Sequence, residues 1–272
     1  MTGVRTALAG AAGRLAATGC ETPRLDAELL LAEVMRTGRA GLVTAPARPL
    51  DDADARRFEA MVRRREAREP VAYILERKGF RHLELAVDRR VLVPRPETEL
   101  LVEVALELAT GARVVDVGTG SGALALALKH ERPDLRLTAT DTSGGALAVA
   151  RANARRLGLE VAFYQADLLA GVPGRFEAVL ANLPYVAEPE VGGLPPEVGE
   201  HEPRLALLGG RDGLDVIRRL VVQAGEAAFL ALEVGAGQAG EVGALLAAAG
   251  FTTVEIRRDL AGIERVVVGR RG

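Results

Sequence analysis

The chain has 272 residues, 49% hydrophobic and 26% charged, enough for one large domain or two smaller ones with real cores. One cysteine, Cys20, excludes an intrachain disulfide framework, and three histidines (His82, His130, His201) without HExxH-like spacing argue against metal chemistry. The net charge of −2 divides into +5 over residues 1–95 and −7 over 96–272, so the front end either steers toward an acidic partner or RNA or carries solvated helix faces such as RRREARE at 63–69.

No apolar stretch reaches the length of a bilayer crossing. Residues 17–20, ATGC, have the outline of a lipoprotein cleavage site, but Arg14 interrupts the segment before them, which is rich in Ala and Gly. The expectation is a cytoplasmic protein with no removed leader and no membrane partner.

Val4, Leu8, Ala11 and Leu15 recur at helical spacing. Leu25, Leu29, Leu30 and Val34 define a second helix, capped by Thr22 and opened by Pro23. The stretch GRAGLVTAPARPL, 38–50, reads as a linker. Asp51 caps a third helix that turns Phe58, Met61 and Val62 inward, and Pro70 starts a short fourth around VAYIL. These predict a small helical domain over 1–77. Residues 79–93, GFRHLELAVDRRVLV, alternate and predict a β-hairpin turning at Asp88–Arg89, within a linking segment over 78–96. PRPETE then opens a helix through LLVEVALELA.

From residue 112 strands alternate with helices, which predicts an α/β domain over 97–272 with a mostly parallel sheet covered on both faces. Its seven strands are RVVDVG, LRLTAT, VAFYQ, FEAVLAN, AAFLALEVG, TTVEIRR and ERVVVG. The last two are joined only by DLAGI, too short for a helical crossover, so they pair antiparallel.

DVGTGSGAL, 116–124, follows the first of these strands. Its glycines let the backbone turn tightly and approach a ligand at a helix N-terminus. Read as G-x-G-x-x-A with Asp141 beyond it, the loop also fits a dinucleotide. Asp116 tilts the choice, because a carboxylate two residues before Gly118 repels a pyrophosphate and suits a sulfonium with an amino-acid tail. Asp141 ends the second strand, where it can accept both ribose hydroxyls. Asp167 follows the third and can hold an exocyclic adenine amine. The bland alternative for each acid is a helix cap.

ANLPYV, 181–186, leaves the core after FEAVL. On its own it is most simply a turn. Chemically it can do more. An amide nitrogen is a poor nucleophile because its lone pair is delocalised. Two acceptors, the Asn182 side-chain oxygen and the carbonyl of Leu183, can aim at its two N–H groups and fix the lone pair. Pro184 stiffens the loop and Tyr185 offers a flat apolar face.

These motifs together resemble the class I S-adenosylmethionine-dependent methyltransferases, doubly wound α/β proteins. More narrowly the chain resembles the release-factor glutamine N5-methyltransferase family. The likeness runs through LDAELLLAEV, EPVAYILERKGF, VLVPRPETELL, DVGTGSGALALAL, ANLPYV, HEPRLALLGGRDGL and RDLAGIERVVVGR, nearly the whole chain. It departs at Leu183, where N-P-P-Y is usual, and at Glu76, often Gly.

The resemblance implies methyl transfer from S-adenosylmethionine to a glutamine side-chain nitrogen in the Gly-Gly-Gln loop of a peptide chain release factor. S-adenosylhomocysteine would be the product, and no metal and no direct nucleic-acid contact are implied. Asp116 and Gly118, Thr119, Gly120, Ser121 and Gly122 would hold the methionine end, Asp141 the ribose, and Asp167 with Leu168 the adenine. Glu97 and Thr98 would brace the cofactor, with Asn182 beside it. Asn182, Leu183, Pro184 and Tyr185 would hold the glutamine, with Asn182, Pro184 and Tyr185 as the catalytic set. The helical domain would recognise the release factor. Fixing φ by Leu183→Pro is expected to keep or modestly raise activity. The rivals are a ribosomal-protein glutamine, adenine N6 of a nucleic acid, a dinucleotide enzyme, and a non-catalytic module with the same fold.

Overall fold

Residues 3–272 are described by a computed structural model and divide into two units, 3–76 with 195–201 and 77–194 with 202–272. Met1 and Thr2, which the expected helical domain includes, lie outside the described residues. Among the described residues no helix is long and apolar enough to cross a membrane.

In the first unit α1 (Val4–Ala17) buries Val4, Leu8, Ala11 and Leu15, the predicted stripe. Helix α2 (Pro23–Val34) begins at Pro23 as expected, but its buried face is Asp26, Ala27, Leu30, Leu31, Ala32 and Val34, with Leu25 and Leu29 only half-buried. A charge pair turns the helix this way. Asp26 Oδ2 accepts from Arg65 Nε at 2.7 Å, and both residues are buried. Thr22 sits at the N-cap, yet its hydroxyl donates to Asp26 Oδ1 at 2.8 Å and caps no backbone.

The segment 38–50, expected as a linker, contains α3 (Arg39–Thr44), which buries Leu42. In α4 (Asp52–Glu66) the cap is as predicted, with Asp51 accepting from the Asp54 N–H at 2.8 Å, and Phe58 and Val62 face inward. The short α5 (Val71–Ile74) follows Pro70. RRREARE is not simply a solvated face. Arg65 reaches Glu197 at 2.8 Å as well as Asp26, and Arg68 meets Glu197 at 2.5 Å. Shared charge-assisted bonds offset the desolvation of these groups and fasten residues 195–201 to the helical unit.

The second unit opens with β1 (Arg77–Phe80) and β2 (Leu83–Ala86), antiparallel and joined at Arg81–His82, where Arg81 takes φ +50°. The expected turn at Asp88–Arg89 is therefore displaced. The alternation beyond Ala86 reflects burial of Val87, Val91 and Val93 and not strand pairing. After a 3₁₀ turn at Pro96–Thr98 and α6 (Glu99–Ala105) come β3 (Arg113–Val117), α7 (Ala123–Glu131), β4 (Arg136–Asp141), α8 (Gly144–Leu157), β5 (Ala162–Gln165) and β6 (Ala178–Ala181). The chain then passes through α9 (Pro196–Gly199), which belongs to the first unit. It returns for α10 (Asp215–Gln223), β7 (Phe229–Glu233), α11 (Ala239–Ala248), β8 (Thr253–Arg258) and β9 (Glu264–Arg270).

The strands form a seven-stranded sheet in the order β5-β4-β3-β6-β7-β9-β8. Strands β3 to β7 run parallel, and β9 is antiparallel to both β7 and β8, as the short link before it requires. Successive residues enter opposite cores: Val114, Leu180, Ala231 and Val268 pack on one face, and Val115, Val179, Leu230 and Val267 on the other. This two-sided burial is what a doubly wound parallel sheet needs. It also leaves the carboxyl ends of β3, β4, β6 and β7 together at one edge, where ligands bind in such sheets.

Arg65→Ala strands the buried Asp26 carboxylate without its cation. Urea unfolding is expected to show a loss of about 3–5 kcal/mol, with a much smaller loss when Asp26→Asn accompanies Arg65→Met. A loss below about 1 kcal/mol in Arg65→Ala would show that the pair holds nothing.

Candidate active site

Strand β3 ends in the glycine loop. The N–H groups of Gly118 and Thr119 both donate to the Thr140 carbonyl at 2.9 Å, tying the loop to the end of β4. Gly118 has φ +76°, and a Cβ there would lie 3.2 Å from Leu183 Cδ2. Asp116 is turned under the loop. Its Oδ2 accepts from the Thr119 hydroxyl at 2.6 Å and from the Ala125 N–H at 3.2 Å, and only 2% of the residue is exposed. It therefore shapes the loop from below. Burial pushes its carboxyl up to about 7, helped by repulsion from Asp141 and opposed by the Thr119 hydroxyl and Ala125 N–H.

Asp141 Oδ2 accepts from the Gly120 N–H at 2.9 Å and Oδ1 from the Ser143 N–H at 2.8 Å, which holds the loop against the start of α8. Burial raises its carboxyl too, against those backbone donors. Asp167 is exposed and paired with Arg219. Leu168, beside it, is buried at φ +59°, a left-handed backbone that costs strain in a branched residue.

Asn182 directly follows strand β6. Its Nδ2 donates to Thr98 Oγ1 at 2.9 Å, and Thr98 in turn donates to Glu233 Oε2 at 2.6 Å, at the end of β7. Asn182 Oδ1 makes no hydrogen bond among the described residues. Leu183 is buried among Val117, Leu168, Leu214 and Ile217. The loop continues against residues 207–215. The Val186 N–H donates to the Leu207 carbonyl and the Gly209 N–H to the Val186 carbonyl, both at 2.9 Å. Gln238 Nε2 donates to the Tyr185 carbonyl at 2.9 Å. Gly213, at φ +85°, admits that carbonyl so closely that a Cβ would sit 2.3 Å from it. Tyr185 is half-buried, and burial with the nearby Glu233 pushes its hydroxyl up to about 12.

A cavity of about 410 Å³ opens at this edge of the sheet. Of the expected residues it brings together Gly118, Gly120, Asp141, Asp167, Leu168, Asn182, Leu183 and Pro184. Asp116, Thr119, Ser121 and Thr98 border a smaller void of about 50 Å³ that shares Gly118, Gly120 and Asn182 with it. Gly122, Glu97 and Tyr185 line neither. A larger, shallow depression of about 1040 Å³ lies toward the amino ends of β3 to β5, around Arg113, Arg136 and Phe163, and contains no expected site residue.

Several residues at the site escape a reading of the sequence. Thr140 Oγ1 is buried at the cavity and has no hydrogen-bond partner among the described residues. Glu233 is 2% exposed, and burial, reinforced by Glu97, pushes it up to about 7 against the Thr98 hydroxyl, Arg265 and Arg95. Gln238 and the 207–215 segment buttress the loop. The available signals were an acid closing the apolar strand FLALE and the turn-forming run GGRDG.

The seven-stranded order with an antiparallel β9, together with the glycine loop and the carboxyl-edge cavity, is the fold of class I methyltransferases. Two solved structures share it: a methyltransferase from Pyrococcus furiosus (17% identity, TM-score 0.54, covering 70% of this chain and 89% of that one) and the hMettl16 catalytic domain (14%, 0.59, 81% and 82%). The methyltransferase small domain family matches residues 96–193, and the PrmC N-terminal domain matches 6–75. Proteins named release factor glutamine methyltransferase are similar along almost the full length. That of Rhodospirillum rubrum is 41% identical over 268 residues, covering 96% of this chain and 82% of its own. That of Deinococcus radiodurans is 41% identical over 276 residues, covering 98% of each. The chain belongs to the release factor glutamine methyltransferase family.

Because Asp116 ionises less readily in the folded chain than its ordinary 3.8, it favours folding at low pH, and that contribution fades as pH rises toward about 7. Between pH 5 and pH 8, Asp116→Asn is expected to lose about 2–3 kcal/mol less stability than the unsubstituted chain in urea unfolding. Parallel curves for the two proteins would contradict this placement of the carboxyl.

Proposed function

We propose that the chain transfers a methyl group from S-adenosylmethionine to the side-chain amide nitrogen of a glutamine in a peptide chain release factor. The single observation that carries this reading is Asn182, tied by its Nδ2 to Thr98 with its Oδ1 unpaired in a residue that lines the cavity. Family membership supports the same reading, since its relatives are named for this substrate.

The cavity suits the donor. Its volume lies in the range of small-ligand pockets. Burial holds Asp141 at the rim and Asp116 beneath the loop harder to ionise, so a bound sulfonium would stabilise their charged forms, whereas a pyrophosphate would oppose them. Thr140 Oγ1 offers an unused polar group. Asp141 would take the ribose, and Asp167 with Leu168 the adenine, provided Asp167 shares or releases Arg219. Gly118 to Gly122 would carry the methionine end, and Thr98 would act through Asn182. When bound, S-adenosylmethionine supplies a methyl on a positively charged sulfur, so the donor needs no activation by the chain.

The chain's work is on the acceptor. Asn182 Oδ1 and the Leu183 carbonyl receive the two N–H groups of the glutamine amide, localising its lone pair and aiming it at the methyl carbon. With the donor bound, that lone pair would form the new N–C bond and the C–S pair would stay with the departing sulfur. One N–H proton then passes to water, leaving an N-methyl amide and a neutral thioether. Positioning supplies the rate, and no strong base is required. Pro184 and Tyr185 shape the loop around the amide, and the helical unit recognises the release factor.

Leu183 revises one expectation. Its side chain is 3% exposed, so Leu183→Pro removes core packing at the same time as it fixes φ. A stability loss of about 1–3 kcal/mol is expected, with measurable turnover, because the backbone carbonyl persists. Asn182→Ala removes an acceptor outright and is expected to cost about a hundredfold in turnover on a release factor at saturating donor. Label transfer at the unsubstituted rate in Asn182→Ala would reduce the loop to a turn, and no transfer by the unsubstituted chain would refute the substrate.

A further inference from the structure

We propose that Glu233 is a positioning residue for the transfer, acting through Thr98 to set which end of the Asn182 side-chain amide faces the substrate. This rests on the reading of Asn182 as the acceptor of the glutamine N–H.

A carboxylate accepts hydrogen bonds and donates none. Glu233 therefore commits the one O–H of Thr98, at 2.6 Å, and leaves Oγ1 able only to accept from its other neighbour. Asn182 must then present its NH₂ to Thr98, as it does at 2.9 Å, so that Oδ1 is the end left unpaired. Without the carboxylate the Thr98 O–H can turn to Asn182 and stabilise the amide rotated by half a turn. The cavity would then meet two donors where the substrate amide also brings donors.

Stability gives no reason to keep a carboxylate here. Glu233 is 2% exposed, and its bonded partner is a neutral hydroxyl. Burying an ionised group on such terms is costly. The charged and titratable groups around it are Glu97 and Arg95 on the segment before α6, Tyr185 on the loop, and Arg265 on β9. The two arginines spend their bonds elsewhere, Arg95 on Glu202 at 2.6 Å and Arg265 on Asp259 at 3.0 Å. Glu233 is thus held up to about 7, and its lock on Thr98 strengthens as pH rises through neutrality.

The test measures kcat, KM and donor affinity on the full chain for Glu233→Ala, Glu233→Gln, Thr98→Val and Asn182→Ala from pH 6 to 8.5, with melting curves as a folding control. Glu233→Ala and Thr98→Val are expected to lose about tenfold or more in kcat with little change in donor affinity. Glu233→Gln, whose carbonyl still accepts from Thr98, recovers part of that loss and no longer shows the rise of kcat through neutral pH. Loss of turnover in Asn182→Ala alone, with the Glu233 and Thr98 variants matching the unsubstituted chain, overturns the relay and spares the reading of Asn182. Full turnover in Asn182→Ala overturns both. An unchanged pH profile in Glu233→Gln also overturns the relay.

Discussion

A side-chain amide has a donating end and an accepting end of nearly equal size, and a site that must recognise another amide works only if the right end is held forward. On the function proposed for Asn182, the bond from its Nδ2 to Thr98 Oγ1, 2.9 Å long, would meet that constraint. Strand β6 delivers Asn182, β7 delivers Glu233, and the turn at Pro96–Thr98 delivers the hydroxyl between them. Adjacent parallel strands β6 and β7 end side by side, so the register of the sheet sets this spacing.

The same edge concentrates carboxyl groups in places that disfavour their charge. Asp116 and Glu233 are both held up to about 7, and Glu202 is also raised, in each case chiefly by burial. In water such groups would be screened and interchangeable. Here each is held in direction by a hydroxyl, a backbone N–H or an arginine. The asparagine loop is stabilised from the other side by main-chain bonds to residues 207–215, which explains a glycine such as Gly213 where the two chains nearly touch.

Features set by near neighbours were legible in the sequence. The stripe Val4, Leu8, Ala11 and Leu15 needs only helical spacing, and the antiparallel pair β8 and β9 follows from the length of their link. The strands and the glycine loop were equally plain, and eight expected site residues meet at one cavity. Where two causes share one period, the sequence does not separate them. Alternation through Val87, Val91 and Val93 comes from burial, so the hairpin turn falls at Arg81–His82 instead of Asp88–Arg89. What depends on distant partners was invisible. Arg65 looks solvated until Asp26 and Glu197 are placed beside it, and Glu233 is only the last residue of a strand until Thr98, 135 positions away, is seen to bond it. Leu183 looked like a loosened proline, although its side chain is part of the core.

The central claim is that the cavity presents an acceptor to an amide nitrogen. It is tested most directly by incubating the chain with a release factor and isotopically labelled S-adenosylmethionine, then mapping the labelled residue by fragmentation mass spectrometry. The account predicts one added methyl on the side-chain nitrogen of a single glutamine. A methyl on a lysine, on a backbone nitrogen or on accompanying RNA would contradict it.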